Sequence, residues 1–339
     1  MTGSVASDYK NREEFSLHAI SYKELPGWEN DNHLEALQTY NATTNITTNC
    51  EACSYFEQNF IPYKVNDNQQ GLFTGYFEPV LNGSRTKSAQ YNVPIYRRPP
   101  ELVVIEDLGT LRSEFAGTRI AGTINNGTLI PYYTRGEIMD GAIEGKDLEI
   151  LWVDSQVDAF FMAIQGSGRI KLPDGSMVKL SYDGANGYPY TAIGKVLLDQ
   201  GNLDRSNVTM ESIKDWLIAN PDKIRDVLAT NQSYIFFKEI DDKGHGPIGS
   251  CGIELTPERS LAVDKRYVDL GTPVWLDINH PENGQIQRLM VAQDSGSAIK
   301  GTVRGDYYWG TGKEAGKMAG KMKSRGNFYI LKPRADCDV

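Results

Sequence analysis

The stretch of the sequence that most strongly suggests chemistry joins two aspartates, Asp294 and Asp306. Asp294 follows an apolar run typical of a strand, and the small residues and glycines after it permit tight backbone paths. Asp306 is followed directly by Tyr307, Tyr308 and Trp309. A carboxyl group beside an aromatic wall has a raised pKa and suits proton donation, and aromatic side chains also bind sugar faces. The pattern makes both aspartates candidate acid–base groups, although such residues also cap turns and fill cores.

Three further segments carry candidate groups. Asp264 follows another apolar run and is a third candidate carboxylate. Gln165 and Ser167 end a very apolar stretch that predicts a strand, and the glycines around Ser167 would let both side chains reach hydroxyl or acetamido groups. Thr74 and Tyr76 place a polar group and an aromatic ring in a short predicted strand. Each of these residues could equally belong to a plain core strand.

Other familiar sites find little support. Asp294–Gly296 resembles the loop of aspartic proteases, but those enzymes need two copies and the chain has one. Gly166–Gly168 lacks the third glycine of a dinucleotide motif. Cys50 and Cys53 have redox or half-zinc spacing without a second pair, and the four histidines are scattered. We therefore expect no metal and no cofactor.

The elements that must position these groups are mostly strands. Period-two and β-branched patterns predict strands at Leu72–Phe77, Asn92–Arg97, Thr118–Ile124, Thr128–Tyr133, Leu148–Val153, Ala159–Gln165, Met177–Tyr182, Tyr234–Glu239, Ser260–Asp264, Pro273–Asp277, Arg288–Gln293 and Asn327–Leu331. Helical patterns cover His33–Leu37, Cys50–Phe60, residues 190 to about 231 (with Asn220 and Pro221 opening Asp222–Ala229) and Lys313–Lys323. Asn126 and Gly127 predict a two-residue hairpin. The order suggests one β domain interrupted by an inserted domain with strands and helices.

Length and charge bound the function. The 339 residues suggest about two domains, and 40% hydrophobic content indicates a folded chain. The net charge of −9 argues against a nucleic-acid partner. No segment approaches the ~20 apolar residues that span a bilayer, and the first residues lack the pattern of a signal peptide.

Together, these segments resemble the MltA family of membrane-bound lytic transglycosylases, which cleave bacterial peptidoglycan. The similarity spans about Gly71–Pro333. Its motifs are Thr74–Pro79, Pro94–Arg97, Gln165–Arg169, Gly187–Tyr190, Pro247–Gly249, Leu255–Pro257, Ser260–Asp264 and Asp294–Gly310. The last part is similar to the 3D domain, named for three aspartates that fall here at Asp264, Asp294 and Asp306.

The resemblance implies a mainly β fold. We expect a double-psi β-barrel domain with N-terminal helices from residues 1–78 and 234–339 (3D domain about 250–333), and an MltA-specific insert over 79–233, with further scattered helices and a substrate groove between the two domains. It also implies a lipoprotein on the periplasmic face of the outer membrane, whose lipid anchor and leader are absent from this sequence. The implied partner is the glycan strand of peptidoglycan. Other cell-wall enzymes are candidate partners that the sequence does not identify.

The resemblance also implies roles for the candidate residues. Asp306 would be the single acid/base that cleaves the β-1,4 bond between N-acetylmuramic acid and N-acetylglucosamine, in endo or exo mode, with formation of 1,6-anhydromuramic acid. Asp294 would orient Asp306 or raise its pKa, and Asp264 would hold a barrel loop. The predicted substrate-binding residues are Thr74, Tyr76, Gln165, Ser167, Tyr307 and Trp309. The segment Ser295–Ser297 departs from the glycine pair usual in the family.

Two alternatives remain. A double-psi barrel of the expansin type could bind peptidoglycan without cutting it, although the aspartate at 306 favours an enzyme. An inverting glycoside hydrolase could use Asp306 as acid and Asp294 as base, because hydrolysis of that type needs two carboxyl groups.

Overall fold

The computed structural model describes residues 16–46, 51–66, 71–105, 107–115, 118–205, 208–242, 244, 246–296 and 298–334. The chain divides into two compact units. Unit 1 comprises Met1–Tyr76, Ile248–Gly310 and Lys317–Val339, and unit 2 comprises Phe77–Pro247 and Thr311–Gly316. Cys50, Cys337, His245 and Ser297 lie outside the described residues.

Within the described residues, the strands are β1 (Ser16–Ala19), β2 (Phe60–Asn66), β3 (Gly71–Glu78), β4 (Val80–Ser84), β5 (Val93–Tyr96), β6 (Leu102–Ile105), β7 (Ile120–Asn125), β8 (Thr128–Ile130), β9 (Glu149–Val153), β10 (Ser167–Lys171), β11 (Met177–Ala185), β12 (Ile235–Ile240), β13 (Ser260–Val263), β14 (Pro273–Asn279), β15 (Gln285–Ser295), β16 (Arg304–Thr311) and β17 (Lys323–Pro333). The α-helices of the same residues are α1 (His33–Thr44), α2 (Ala52–Asn59), α3 (Arg135–Met139), α4 (Gln156–Gln165), α5 (Ile193–Asp199), α6 (Met210–Ala219), α7 (Ile224–Ala229) and α8 (Lys313–Lys321).

Unit 1 is built on a closed barrel of six strands. The strands follow the order β17, β14, β15, β13, β16 and β3, and β3 pairs back onto β17 to close the ring. The β13–β15 pair is parallel, and β14 pairs antiparallel with both of its neighbours. β2 and β1 extend the sheet outward from β17. Closure removes the exposed edges of the ring strands, which would otherwise invite further pairing.

Alternation along the ring strands separates an inner from an outer core. In β14, Val274 and Leu276 join the cluster inside the barrel, whereas Trp275 between them packs outward. The outward cluster contains residues of α1 and α2, so these helices cover one outer side of the barrel. Arg259 fixes the start of α1, because its buried guanidinium pairs with Asp31 at 2.8 Å. Burial on both faces explains why β14 begins with four consecutive apolar residues, Pro273–Leu276.

Unit 2 contains a six-stranded sheet, a three-stranded sheet and several helices. The larger sheet has the order β12, β11, β10, β4, β9 and β5, and the smaller has the order β6, β7 and β8. The β7–β8 hairpin turns at Asn126 and Gly127, which have φ values of 47° and 77°. Two positive φ values are the signature of a type I′ turn, so the hairpin prediction is confirmed.

Several element predictions need correction. The apolar run Ala159–Gln165 is the body of helix α4, not a strand, because Ser155 caps its N-terminus by accepting a hydrogen bond from the Asp158 N–H. Pro221 opens a short 3-10 turn, and the helix after it starts only at Ile224. β1, β2, β4, β6, β10 and β16 were not predicted as strands. The predicted class, a mainly β chain built on a barrel with a second β domain and scattered helices, is confirmed.

Candidate active site

Four side chains of β3 and β16 share the outer face of the barrel. Phe73 and Tyr307 belong to the inner cluster, so the residues beside them point the other way. Tyr76 and Tyr308 accordingly pack together outside it, with ring centroids 5.2 Å apart. Thr74 and Asp306 occupy the same outer face, where the hydroxyl of one meets the carboxyl of the other.

Asp294 and Asp306 lie on either side of one small residue. In the sheet, Ala262 of β13 pairs with Asp306 on one side and with Asp294 on the other. Adjacent strands lie about 4.8 Å apart, so the two aspartate backbones are about 10 Å apart. A register irregularity at Leu261 and Ala262 brings Asp294 to this level. Ala262 itself is buried in a cluster that includes Tyr76 and Tyr308.

A short chain of hydrogen bonds holds the Asp306 carboxyl. The Thr74 hydroxyl donates to Asp306 Oδ1 at 2.6 Å, and it accepts from Arg304 Nη2 at 2.7 Å. Because Arg304 can only donate, the Thr74 proton is committed to Asp306. Burial raises the pKa of Asp306 to about 6; the Thr74 hydrogen bond and the Arg304 charge lower it, and the charge of Asp294 raises it. Asp306 is therefore a carboxyl that can carry a proton near neutral pH.

Asp294 has a fuller set of donors. Its Oδ1 accepts from the Ser250 N–H at 2.9 Å, the Ser250 hydroxyl at 2.8 Å and the Ser295 N–H at 2.9 Å. Its Oδ2 accepts from the Tyr76 hydroxyl at 3.1 Å. Burial raises the pKa of Asp294 even though these hydrogen bonds favour the charged form. Four hydrogen bonds fix its orientation, so Asp294 is a held group rather than a mobile one.

Asp264, just after β13, is arranged differently. Its carboxylate accepts from Arg266 Nη2 at 2.6 Å and from the backbone N–H groups of Gly301 and Arg266. Burial acts to raise its pKa, but the Arg266 and Gly301 hydrogen bonds outweigh it and hold the pKa of Asp264 below its usual value. Asp264 thus links the loop containing Gly301 to the end of β13, and its predicted role in holding a barrel loop stays a prediction.

The aromatic residues of β16 do not form the predicted wall beside Asp306. Tyr307 has no exposed surface and packs inside the barrel, which contradicts its prediction as a substrate-binding residue. Trp309 shares the face of Tyr307, at 4.7 Å between ring centroids, and donates to Met322 Sδ. Because the three aromatic residues are consecutive, the sequence does not show which rings face into the barrel. The ring on the same face as Asp306 is that of Tyr308.

The predicted residues of unit 2 lie at the junction of α4 and β10. Gln165 is the last residue of α4, and its side-chain oxygen accepts from the Phe77 N–H at 3.0 Å. Ser167 begins β10 and is 7% exposed, which leaves it little surface for a ligand. The role of Gln165 in binding stays a prediction.

Two residues that position the carboxyl groups were missed. Arg304 orients Thr74, and Ser250 holds Asp294 with both its N–H and its hydroxyl. Arg304 lies two residues before Asp306, so its alternation with Asp306 was a usable signal. Ser250 carried none, because its contact with Asp294 spans 44 residues of chain.

Comparisons with known proteins agree with this architecture. A family model described as the MltA specific insert domain matches residues 72–238, and one described as the 3D domain matches residues 259–332. Membrane-bound lytic murein transglycosylase A of Escherichia coli (strain K12) is 35% identical over 269 residues, which are 77% of this chain and 65% of that protein. The crystal structure of membrane-bound lytic murein transglycosylase from Agrobacterium tumefaciens has a TM-score of 0.84 and 33% identity, covering 94% of this chain and 98% of that one. The chain belongs to the MltA family.

A third similar structure, of E. coli MltA with bound chitohexaose, has a TM-score of 0.73 and 25% identity, and the match covers 98% of each chain. The chain spans less than two thirds, 65%, of the length of the curated MltA relatives that it matches. Its 3D match contains Asp264, Asp294 and Asp306, and its insert match starts within β3, close to Thr74. No helix in the described part of this MltA-family chain is both long and apolar enough to cross a membrane.

Proposed function

We propose that the chain is a lytic transglycosylase that cleaves the β-1,4 bond between N-acetylmuramic acid and N-acetylglucosamine in peptidoglycan. The observation that carries the proposal is the Asp306 carboxyl, whose pKa of about 6 and hydrogen bond from Thr74 suit a general acid near neutral pH. The name of the E. coli relative, a lytic murein transglycosylase, supports the choice of reaction and substrate.

The proposed reaction needs one carboxyl group. Protonated Asp306 donates its proton to the glycosidic oxygen as the C1–O bond breaks. The C6 hydroxyl of the same muramic acid then forms a bond to C1 and gives its proton to the Asp306 carboxylate, which regenerates the acid. The nucleophile is tethered in the same sugar, so its effective concentration is high and no water is consumed. The product is 1,6-anhydromuramic acid.

Asp294 is proposed as a positioning residue. Its oxygens already accept hydrogen bonds from Ser250, Ser295 and Tyr76, so it is poorly placed to activate a water as a second catalytic base. Its negative charge raises the pKa of Asp306 and thereby keeps the acid protonated at higher pH. This role separates the transglycosylase from the inverting hydrolase, in which Asp294 would be the base.

We propose that the domain carrying this site comprises residues 1–78 and 234–339 and that residues 79–233 form the insert. We further propose that Thr74, Tyr76 and Gln165 contact the glycan strand. The relatives' description as membrane-bound supports an envelope location, and a lipid anchor in the periplasm is proposed on the family resemblance.

Digestion of purified peptidoglycan in water labelled with heavy oxygen tests the reaction. A transglycosylase gives products one water lighter than hydrolytic ones and without label, whereas a hydrolase gives labelled products of full mass. A binding module gives no products and retains the glycan. Labelled products or an absence of turnover would overturn the proposal.

Replacement of one carboxyl tests the assignment of the acid. Asp306→Asn is expected to retain binding of chitohexaose and to lose turnover, and Asp269→Asn, an exposed aspartate of the same unit, serves as the matched control. An active Asp306→Asn enzyme would refute the assignment even if the products were anhydro sugars.

A further inference from the structure

Unit 2 contains a cavity of about 570 Å³, and the proposed reaction uses none of the residues that line it. Its lining comes from β5, β9, β12, α3, α4 and α7, all within unit 2. The volume lies in the usual range for small-molecule sites. Apolar side chains such as Ile95, Trp152 and Phe237 line part of the cavity, and polar and charged side chains line the rest.

The first of these groups is a buried arginine without an acidic partner. Arg135 is 5% exposed and lines the cavity at the start of α3. Its Nη2 donates to the Ser233 carbonyl at 2.7 Å and its Nε to the Asn231 carbonyl at 3.2 Å. The guanidinium carbon lies 4.7 Å from the Phe160 ring centroid and 5.1 Å from that of Tyr234. Among the described residues, Arg135 pairs with no carboxylate and its Nη1 has no hydrogen-bond partner.

This arrangement is unlike that of the other buried arginine. Arg259, 2% exposed, is neutralised by Asp31 and Glu35. A buried charge without a counterion is costly, because the interior solvates it poorly. Burial lowers the pKa of Arg135 to about 10, so it stays charged at neutral pH. A buried cation that lacks a counterion and lies beside a cavity indicates that the cavity binds an anion.

Two phenol groups add donors at the same cavity. Tyr96 and Tyr234 both line it, and their ring centroids are 6.5 Å apart. Neither hydroxyl has a hydrogen-bond partner within the part of the chain that the structure describes. A guanidinium nitrogen and two phenol hydroxyls can together satisfy the oxygens of one carboxylate.

The exposed lining residues restrict the anion. Asp140, Glu144 and Asp154 are exposed acids of the lining, and Lys87 is the neighbouring base. Asp140 pairs with Arg225, and Lys87 lies 3.9 Å from Glu144. Asp154, which pairs with no basic side chain among the described residues, repels a multiply charged anion and attracts an amine. Arg135 and the exposed acids of the lining together suit a ligand with one carboxylate at one end and a positively charged group at the other.

We propose that this cavity binds a short peptide, with its free C-terminal carboxylate on Arg135, Tyr96 and Tyr234 and its amino end toward the exposed acids. The apolar lining accommodates small aliphatic side chains. The inference does not rest on the proposed transglycosylase activity. Peptides of ordinary L-residues and peptides ending in D-residues share the recognised carboxylate, and the experiment separates these two sources.

Calorimetry on the whole chain with tetra-alanine tests the proposal. We expect the free acid to bind at least about tenfold more tightly than its C-terminal amide, because the charge-assisted hydrogen bonds require the carboxylate. Inorganic phosphate is expected to bind more weakly than the peptide acid. Comparison of all-L with all-D tetra-alanine shows which source the cavity accepts. Equal affinity for acid and amide, or no binding of either acid, would overturn the proposal.

Variants locate the binding in the cavity. The double variant Tyr96→Phe, Tyr234→Phe keeps both rings and is expected to weaken binding about tenfold, whereas Tyr133→Phe, an exposed tyrosine outside the cavity, is expected to have no effect. Arg135→Gln should weaken binding more than the exposed control Arg112→Gln, and the tyrosine variants preserve the test if Arg135→Gln fails to fold. Wild-type affinity in the double tyrosine variant contradicts the proposal. Asp306→Asn should bind tetra-alanine as the wild type does, so the result stands apart from the catalytic assignment.

Discussion

Asp264 directly follows strand β13 and Asp306 lies in the adjacent strand β16, and the pKa values of their carboxyl groups are shifted in opposite directions. Asp264 accepts hydrogen bonds from the Arg266 guanidinium and from two backbone N–H groups, and its pKa is below the usual value. Asp306 accepts from the neutral Thr74 hydroxyl, with the Asp294 charge nearby, and its pKa is about 6. Both groups are penalised by burial. The difference comes from the hydrogen-bond donors together with the deeper burial of Asp306 and the nearby Asp294 charge, and three aspartates at motif spacing need not share a role.

This contrast supports the proposed structural role of Asp264 and the proposed proton transfer by Asp306. A carboxyl with a direct guanidinium partner is locked in its charged form and is a poor acid. At Asp306 the guanidinium of Arg304 acts through Thr74, which supplies orientation with less charge compensation. The intervening hydroxyl lets the same type of partner position the acid without holding it ionised.

The largest expected difference between substitutions of the two aspartates is in turnover. We expect Asp306→Asn to lower kcat on peptidoglycan by about a thousandfold or more, because the only proton donor to the leaving oxygen is lost. Asp264→Asn should retain activity within about tenfold, since it loosens a loop. Release of anhydro products measures both. Equal losses in the two variants would contradict the assignment of separate roles.

The free energy of unfolding should change with opposite signs in Asp306→Asn and Asp264→Asn. The native pKa of Asp306 lies above the usual value of 3.8 for an aspartate, so stability from its protonated form is lost as the pH rises through about 6. A shift of this size corresponds to an upper bound of about 3 kcal/mol. We expect Asp306→Asn to raise the free energy of unfolding by about 1–3 kcal/mol at about pH 8 and to change it little at about pH 4.

Asp264 is the matched counterpart in that experiment. Its native pKa lies below the usual value, so its stabilisation is present at neutral pH and is lost as the pH falls through that native value. Asp264→Asn should therefore destabilise the protein by about 1–3 kcal/mol at about pH 8, with a smaller effect in acid. Urea unfolding at the two pH values checks both signs. A destabilised Asp306→Asn at about pH 8 would show that burial does not strain the ionised carboxyl.

The sequence predicted the positions of several strands and turns, because these depend on local residues. The apolar runs before Asp264 and Asp294 predicted strands that overlap β13 and β15, although β15 extends beyond Arg288–Gln293 at both ends, and the Asn126–Gly127 hairpin was correct. Where local signals compete, prediction failed. The apolar run before Gln165 is long enough for either element, and the Ser155 cap that decides for helix was overlooked.

The details of the site depend on contacts between distant segments. Which of Tyr307 and Tyr308 faces Asp306 is decided by the inward register of β16, and three aromatics in succession carry no period-two signal. Thr74 meets Asp306 across 232 residues, a contact that the pairing of β3 with β16 creates. Residue types identified the candidate acids, but the pKa difference between Asp264 and Asp306 required their three-dimensional partners.

The smallest expected effect is on the pH dependence of turnover. Turnover should fall as Asp306 loses its proton, with a descending limb near pH 6. The Asp294 charge raises the pKa of Asp306, so Asp294→Asn should move this limb to lower pH, by about one unit or less, with kcat at low pH reduced about tenfold or less. Asp264→Asn is the control and should leave the limb in place. If the descending limb stays in place in Asp294→Asn, the charge of Asp294 does not raise the pKa of Asp306. Complete loss of turnover at every pH would instead make Asp294 a second catalytic carboxyl and favour hydrolysis, because a tethered nucleophile needs no second base.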